Sequence, residues 1–517
     1  MKKLSSIFSF VMVMLLGCLS ASAQYHYDFS AVNAAGDTLC YNITSDSTVE
    51  VTSCADTAYV QTPFGQTVAP EYYHYDPVVE IPASVSHNGV SYQVTRIGNK
   101  AFIGQKLIQS VILPPSITSI GNCAMLSCDS LRQINLPNVE QLGIEAFRYT
   151  QSLTHIDLPN SLRQIGEACF YGSGLQEVEV PGSIDTILPL TFAYCTSLRR
   201  VVLHEGLRGI GEHALYSTQT DTLVFPRSMR WVEQQEVLGN YETQFNLPLR
   251  HLEFQFDSDH PDEKVHLAEG CFYYCNYLNT LVLSENTELS VGCFGDCIAL
   301  TTLVVPDGIT SIPTNCFGGC ISLETVSLPN SLVSIGDRAF QGCQNLKEIT
   351  LPPSVTAIGD HAFKSSTSGL DTVTLLSAVP PALGEQVFLS SSNPDRAIRF
   401  NIPCYTMGAY TSAPGWSELA AKPNVTFHEN CVGIVGHDMD NSTHVWPNPT
   451  EGRVQVQSAG SDIRSVEVYD ISGRQLFSLT ANGTTADVDL SGIGAGVYLL
   501  RVTLSDGTVT SERIVKK

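Results

Sequence analysis

The chain has 517 residues, enough for three or four ordinary domains or for one elongated array. Hydrophobic residues make up 43% and charged residues 15%, so apolar material suffices for a core and a wholly disordered chain is excluded. The 28 Lys and Arg against 51 Asp and Glu give a net charge of −23, which argues against nucleic acid or an anionic membrane as partner. The 39 Gly and 26 Pro favour short strands joined by turns.

The N-terminus predicts an export signal. Lys2-Lys3 precede an apolar run from Ile7 to Leu16, and Ala21-Ser22-Ala23 supplies the small residues that precede signal-peptidase cleavage. We expect residues 1–23 to be a signal peptide that is cleaved after Ala23, with lipoprotein processing at Cys18 as the alternative. No later stretch reaches about 18 consecutive apolar residues, so we expect a mature chain without a transmembrane span, secreted or attached to the outer surface.

An internal repeat occupies residues 97–381. Apolar residues, mostly followed by glycine, recur at intervals of 22 or 23 residues. The starting residues are Ile97, Ile120, Leu142, Ile165, Ile187, Ile210, Val232, Leu267, Leu289, Ile312, Ile335 and Ile358. The step from Val232 to Leu267 is longer, and we interpret it as one turn with enlarged loops.

The repeat predicts a β-rich solenoid. One turn of this length cannot bury its own apolar residues, whereas stacked turns bury them against one another. Within a turn, Leu-x-x-Ile-x-Leu predicts a short strand, and the following proline ends it because proline cannot donate to the next strand. Ala-Phe-x-x-Cys predicts a tight helical turn.

The repeated Ile-Gly-x-x-Ala-Phe-x-x-Cys-x-x-Leu-x-x-Ile-x-Leu-Pro pattern resembles the BspA-like leucine-rich repeats. The resemblance implies a leucine-rich-repeat superhelix of about twelve turns over residues 97–381. Residues 24–96 and 382–431 resemble the regions that flank such repeats and would be β-rich caps. Met125 and Leu215 depart from the pattern at the Phe position, and Leu188 and Pro313 at the Gly position. The resemblance further implies adhesion to host matrix proteins or to other bacteria.

The C-terminal residues do not follow the repeat. Their apolar and polar positions alternate, which is typical of a small antiparallel sandwich. Residues 445–517 resemble the C-terminal sorting domain of the type IX secretion system, which implies a small Ig-like β-sandwich that engages the type IX secretion machinery. Residues 432–444 would be a linker. The motifs that carry the resemblance are Pro447-Asn448-Pro449, Tyr469-Asp470, Gly473-Arg474, Gly496-Val497-Tyr498 and Ile514-Val515-Lys516-Lys517.

The cysteines fall into two classes. Ten occupy two columns of the repeat, either three residues after the Phe position or directly before it: Cys128, Cys195, Cys275, Cys297, Cys320, Cys343, Cys169, Cys271, Cys293 and Cys316. We favour buried thiols for these columns, with disulfides between adjacent turns or zinc binding as alternatives. In the caps, we predict disulfides between Cys40 and Cys54 and between Cys404 and Cys431.

Strand side chains alternate, so the residues on either side of the central Ile of Leu-x-x-Ile-x-Leu face outward. Twelve stacked strands would form one continuous, stiff sheet that could bind an extracellular protein or glycan. The part of this face that mixes charged and aliphatic residues is our candidate binding surface: His155, Asp157, Glu177, Glu179, Arg200, Val202 and Val224.

We find no sequence motif of an enzyme or of a cofactor site, so we expect a non-enzymatic protein without cofactor or metal. The acidic run at residues 257–263 could attract a cation, but such runs are usually solvated loops. An unrecognised secreted hydrolase, with His260 in the enlarged turn as its test residue, and a structural component of the cell envelope are the alternatives.

Overall fold

The computed structural model describes residues 27–54, 75–233, 248–364, 369–388, 396–430, 443–448, 450–458, 461–470 and 474–517. The signal peptide with its cleavage site, Cys431 and most of the linker lie outside these ranges. The chain divides into two compact units, Met1–Glu429 and Asn430–Lys517, and each is considered by itself.

The first unit begins with a β-rich cap. Its strands are β1 (Phe29–Val32), β2 (Thr38–Ile43), β3 (Thr48–Thr52), β4 (Val78–Glu80), β5 (Ser84–His87) and β6 (Val90–Ile97). Strands β1 to β3 are antiparallel, and β3 pairs in parallel with β6, whose end carries the first repeat. A disulfide joins Cys40 to Cys54. Asn88 and Gly89 both have positive φ, the backbone that a two-residue hairpin between β5 and β6 requires.

The solenoid follows with two short strands in most turns. They are β7 (Ser110–Ile112), β8 (Ser119–Ile120), β9 (Gln133–Ile134), β10 (Gln141–Leu142), β11 (Gln164–Ile165), β12 (Glu177–Val180), β13 (Thr186–Ile187), β14 (Arg200–Leu203), β15 (Gly209–Ile210), β16 (Thr222–Phe225), β17 (Trp231–Val232), β18 (His251–Phe254), β19 (Val265–Leu267), β20 (Thr280–Val282), β21 (Thr287–Glu288), β22 (Thr302–Val304), β23 (Ser311–Ile312), β24 (Thr325–Ser327), β25 (Ser334–Ile335), β26 (Glu348–Leu351), β27 (Ala357–Ile358), β28 (Thr372–Leu375) and β29 (Ala382–Leu383). All pair in parallel with the equivalent strand of a neighbouring turn. The predicted solenoid is confirmed.

These strands form two stacks. The first ladder contains the Leu-x-x-Ile-x-Leu strands, such as β12, β14 and β26, and the second ladder contains the short strands that end near the repeat's starting residue, such as β6, β17 and β29. The described residues make about 13 turns rather than the twelve predicted. The additional turn begins at Leu383-Gly384, which the sequence reading placed in the C-terminal cap. Its Phe388 ring stacks on Phe363 at 5.7 Å, so the interior continues one turn further.

The first ladder is not the single continuous sheet that the sequence predicted. It consists of five hydrogen-bonded segments, and residues 153–159 form no strand at all. Most of its strands are two to four residues long, so the loss of a single backbone hydrogen-bonded pair is enough to end a segment. The turns nevertheless remain stacked at this break, since the amide of Gln176 donates to the carbonyl of Thr154 at 2.9 Å.

The Ala-Phe-x-x-Cys segment forms hydrogen-bonded turns rather than the predicted helical turn. The third and seventh residues after most starting residues have left-handed backbone, for example Glu145 and Tyr149 with φ of 53° and 58°. A non-glycine residue in this region costs about 1 kcal/mol or more. The cost is offset because alternate amides donate to the next turn, as from Phe147 to the carbonyl of Cys169 at 2.8 Å. These tertiary hydrogen bonds override the local helical preference.

Phenylalanines form the spine of the interior. The rings of Phe147 and Phe170 stack at 5.4 Å with 6° between their planes, and those of Phe317 and Phe340 stack at 5.7 Å with 13°. All four side chains are buried. A buried Phe contributes about 1.5–3 kcal/mol through removal of apolar area from water, and each ring pair adds about 0.5–1.5 kcal/mol. A constant step between turns therefore stabilises the solenoid along its length.

The ten cysteines of the two repeat columns are buried free thiols. In the column that stands three residues after the Phe position, five thiols donate to the Phe carbonyl of the preceding turn: Cys128, Cys195, Cys297, Cys320 and Cys343. Cys128 donates to Phe102 at 3.0 Å, and Cys343 donates to Phe317 at 3.3 Å. The sulfur thus fills the interior as a small apolar group and also donates to a buried carbonyl, which a methyl group could not do.

The end of the solenoid is covered by β30 (Ile398–Pro403), α1 (Met407–Ser412), α2 (Trp416–Ala420) and β31 (Val425–Asn430). The two short helices were not predicted. Trp416 is fully buried against Phe388 and Phe400, and its indole donates to the carbonyl of Pro381 at 2.7 Å. The cap thereby buries the last rings of the spine. Cys404 is disulfide-bonded, and its predicted partner lies outside the described residues.

The second unit is built of antiparallel strands: β32 (Thr443–Trp446), β33 (Arg453–Ser458), β34 (Ile463–Asp470), β35 (Gln475–Gly483), β36 (Thr485–Asp489), β37 (Gly496–Leu504) and β38 (Val509–Lys516). They form one sheet in the order β32-β33-β36 and another in the order β35-β34-β37-β38, around one apolar core. This arrangement fits the predicted small sandwich.

Two of the sequence motifs in this unit have a structural role. The Asn448 side chain accepts from the amide of Val515 at 2.9 Å and donates to the carbonyl of Arg513 at 2.6 Å, so it ties the start of the unit to its last strand. The Asp470 carboxylate accepts from the amide and the guanidinium of Arg474 at 3.1 and 3.0 Å, on either side of the β34–β35 connection.

Candidate binding surface

The candidate surface lies on the first ladder where the strands carry charged residues. Alternation in β12 buries Val178 and Val180 and directs Glu177 and Glu179 outward. In β14 the same alternation buries Val201 and exposes Arg200. Glu177 and Glu179 pair in register with Arg200 and Val202, so these four side chains are cross-strand neighbours.

The charged side chains form one connected network. The Arg200 guanidinium lies 3.1 Å from Glu179 and 3.6 Å from Glu177. His155 approaches Asp157 through Nε2 at 2.9 Å and Glu177 through Nδ1 at 3.5 Å. The structure thus brings together the five polar residues that the sequence singled out, over three successive turns.

This network contributes little to stability. Its side chains are 47 to 94% exposed, and exposed ion pairs stabilise by about 0.2–1 kcal/mol at most. The packing of the turns does not need these charges, because the interior columns beneath them are apolar. The arrangement orients carboxylates and a guanidinium on a stiff backbone while leaving their outer sides open to solvent.

Sequence reasoning missed one member of the network. His204 follows β14, and its Nε2 lies 3.7 Å from the carboxylate of Glu179. Most turns have proline at this position, as Pro159 and Pro181 illustrate, so the replacement of proline was a readable signal. The two aliphatic members of the prediction, Val202 and Val224, are half-buried rather than exposed.

Further along the first ladder the outward face carries no charge over three successive strands. In β20, β22 and β24 the outward residues are Thr280, Val282, Thr302, Val304, Thr325 and Ser327. Val282 and Val304 are well exposed at 42% and 57%. The solenoid therefore presents a charged and an uncharged region on the same backbone.

The repeat cysteines are poorly suited to zinc. Burial raises the pKa of Cys128, Cys195 and Cys320 to about 12, whereas zinc binds the thiolate. Cys293 and Cys316 have sulfurs 3.5 Å apart, a contact between thiols of adjacent turns and not a disulfide. Over the part of the chain that the structure describes, no group of three or more His, Cys, Asp or Glu residues could hold a metal ion.

The acidic run in the enlarged turn is used inside the protein. The buried Asp257 accepts from the Arg230 guanidinium at 3.0 Å, from the His260 ring at 3.2 Å and from the amides of Asp259 and His260. Burial raises the pKa of the Asp257 carboxyl, but these hydrogen bonds outweigh burial and hold the pKa below its ordinary value. Glu263 pairs with the same guanidinium. Arg230 is thus the cation that this acidic run binds.

Comparison with known families matches both units. The BspA type leucine rich repeat region matches in six copies, over residues 84–139, 126–237 and 265–394, which together exceed half of the chain. The secretion system C-terminal sorting domain matches residues 444–517. No curated protein matches the chain. None of the described helices has the length and apolarity required to cross a membrane.

Of three similar solved structures, the first supports the fold. A leucine-rich repeat protein from Bacteroides ovatus is 24% identical and aligns with a TM-score of 0.50, over 74% of this chain and 96% of its own. A leucine rich cell surface protein from Faecalibacterium prausnitzii is 24% identical, covers 68% of this chain and 95% of its own, and has a TM-score of 0.39. The pneumococcal vaccine antigen PcpA is 16% identical, covers 79% and 100%, and has a TM-score of 0.35.

Proposed function

The chain belongs to the BspA-type leucine-rich-repeat family and carries a secretion-system C-terminal sorting domain, and on this premise we propose that it is a non-enzymatic adhesin. A protein with these two parts is secreted or attached to the outer surface. Its proposed partner is an extracellular protein or glycan that binds the charged region of the first ladder, defined as His155, Asp157, Glu177, Glu179, Arg200 and His204.

One observation carries this proposal: a network of exposed charges that packing does not require is held on a stiff scaffold. Each strand beneath it is anchored by buried residues such as Val178 and Val201. A surface that is already ordered loses little conformational entropy when a partner binds. Arg200 offers a planar set of donors between two carboxylates, which suits a partner with matching acceptors and donors.

The proposal is tested with the mature full-length chain immobilised and exposed to matrix proteins, bacterial cells and a glycan panel. For a partner so identified, Arg200→Ala and Glu177→Ala are each expected to weaken binding by about tenfold, and raised salt is expected to weaken it further. Matched controls are Glu348→Ala and Arg399→Ala, which alter exposed charges in the same outward column at the far end of the ladder. If all four variants bind the partner equally well, the charged region is not the binding surface.

The alternative of a hydrolase has one geometric feature in its favour. The ring of His260 is 63% exposed and is hydrogen-bonded to the carboxylate of the buried Asp257, which is the orientation that a general base needs. Turnover of a glycan or peptide substrate that His260→Ala abolishes would establish an enzyme in place of an adhesin. A structural envelope protein without a diffusible ligand would instead retain no partner from the panel.

A further inference from the structure

A second surface feature lies on the other ladder and shares no residue with the charged region. Three successive strands, β17, β19 and β21, border an open cleft of about 380 Å³. Its described lining includes Trp231, Glu233, His266, Ala268, Glu288 and Ser290. A volume of this size is within the range of small-molecule sites.

The cleft occurs where the glycine column of the repeat is interrupted. In regular turns the residue after the starting residue is glycine because the neighbouring backbone leaves no room: a Cβ on Gly143 would lie 2.5 Å from the Gly121 carbonyl carbon, and one on Gly166 would lie 2.3 Å from that of Gly143. Glu233, Ala268 and Ser290 occupy this position in the three turns that form the cleft. In these three turns the cleft lies beside the residues that replace glycine, whereas Leu188 and Pro313 replace glycine elsewhere without lining the cleft.

An indole is placed at one end of the cleft. Trp231 stands between Gly209 and His266 in the second ladder. A Cβ on Gly209 would lie 2.0 Å from the Trp231 ring, so the ring packs directly over the bare glycine backbone. The column otherwise carries mostly small or polar residues, such as Ser119 and Thr186. The Trp231 ring thus covers the side-chain position that Gly209 leaves empty, and it is the large aromatic member of this column.

The polar groups around the indole are mainly acidic. Glu233 is exposed on the same strand side as Trp231, and its carboxylate accepts from the amide of Glu212 at 3.3 Å. Glu288 lies two strands along, pairs with His266 and is 58% exposed. The chain as a whole has a charge of −23, which adds a long-range attraction for cations.

We propose that this cleft binds an organic cation, an alkylammonium or guanidinium group, with the Trp231 ring as its platform and the carboxylates of Glu233 and Glu288 as its counter-charges. An aromatic ring attracts a cation through its quadrupole, and Trp does so most strongly. The cation comes either from a free amine or from a Lys or Arg side chain of a polypeptide. This site goes beyond the proposed adhesion, and its failure leaves the charged region of the first ladder untouched.

The test uses the mature full-length chain, titrated at pH 8 by calorimetry with choline, agmatine, N-acetyl-arginine amide and neutral methyl glucoside. Intrinsic fluorescence in a Trp446→Phe background provides a second readout, because Trp416 is fully buried and Trp231 is then the remaining partly exposed indole. We expect saturable binding of the cations, with affinity that falls as salt rises. Choline and agmatine represent the free amines, and the arginine amide represents a polypeptide side chain.

Variants locate the site. Trp231→Ala is expected to weaken cation binding by about tenfold, Trp231→Phe by less, and Glu233→Gln or Glu288→Gln by about fivefold each. Glu324→Gln, an exposed carboxylate on the first ladder, is the matched control and is expected to change nothing. The proposal is overturned if no cation binds, if methyl glucoside binds as tightly as choline, or if Glu324→Gln weakens binding as much as Glu233→Gln. Melting curves establish that each variant is folded.

Discussion

The turns of 22 or 23 residues from Leu289 to Phe363, here called regular by their length, are packed differently from the enlarged turn between Val232 and Leu267. In the regular turns, stacked rings and thiols repeat at one interval, and each turn buries its neighbour. In the enlarged turn, the rings of Phe225, Phe254 and Phe272 meet at larger angles, and a polar cluster around Arg230 joins the loops. The interior groups of the regular turns are uncharged rings and thiols, whereas the enlarged turn also contains an ion-paired cluster around Arg230 and adjoins the cleft.

Removal of a ring from the regular spine is expected to have the largest effect. Phe317 is fully buried between Phe294 and Phe340, each 5.7 Å away. Phe317→Ala leaves a cavity between Phe294 and Phe340, each of which loses its stacking partner. We expect a loss of about 3–5 kcal/mol in the free energy of unfolding. Chemical denaturation followed by circular dichroism measures it. A loss below about 1 kcal/mol would contradict the view that the spine stabilises these turns.

A methyl group on the glycine column separates regular from interrupted turns more directly. Gly166→Ala places a Cβ 2.3 Å from backbone, so we expect a loss of about 1–3 kcal/mol from overpacking. Ser290→Ala also places alanine in this column, but in a turn that already accommodates a side chain, and we expect a change within about 0.5 kcal/mol. Thermal melting of both variants gives the comparison. Equal losses of stability in the two variants would show that the glycine column leaves the same space for a side chain in both turns.

The polar cluster is expected to make the enlarged turn sensitive to acid. Hydrogen bonds hold the pKa of Asp257 below its ordinary value, so the carboxylate stabilises the folded state at neutral pH and loses that contribution as the pH falls through the folded pKa. Asp257→Asn should therefore lower the melting temperature at pH 7, and its difference from wild type should narrow below about pH 4. A constant difference from pH 7 to pH 3 would contradict this assignment.

The smallest effect is expected on the uncharged outward face. Thr302 is exposed on β22 while Leu303 beside it is fully buried. Thr302→Ala should change the free energy of unfolding by less than about 0.5 kcal/mol, and Leu303→Ala by about 2–5 kcal/mol. Urea denaturation of the pair tests whether alternation in the strand alone separates surface from interior.

The sequence did not predict the second ladder. By itself it determined the solenoid, the strand that most turns contribute to the first ladder, the inward direction of the cysteine and phenylalanine columns, and the identity of the sorting unit. These follow from periodicity, because a residue at a fixed offset in a repeat meets its equivalent in the next turn. Five charged residues of the candidate surface were also predictable, since strand alternation fixes which side chains face outward. His204 was within reach of the same argument, as a replacement of the usual proline.

Tertiary structure alone decided the rest. Left-handed backbone at Glu145 and Tyr149 prevailed over a helical turn because the amides there bond to the next turn and not to their own. The additional turn was within reach of the sequence, because Leu383-Gly384 and Val387-Phe388 stand at the offsets of the repeat. The helices around Trp416 instead depend on how the last ring is covered, which no local pattern specifies. The cleft at Trp231 borders three adjacent turns in which residues distant in sequence, Glu233, Ala268 and Ser290, stand in place of glycine. A repeated sequence predicts which residues meet at the same offset in every turn. Only the stacked structure shows which residues the irregular turns bring together.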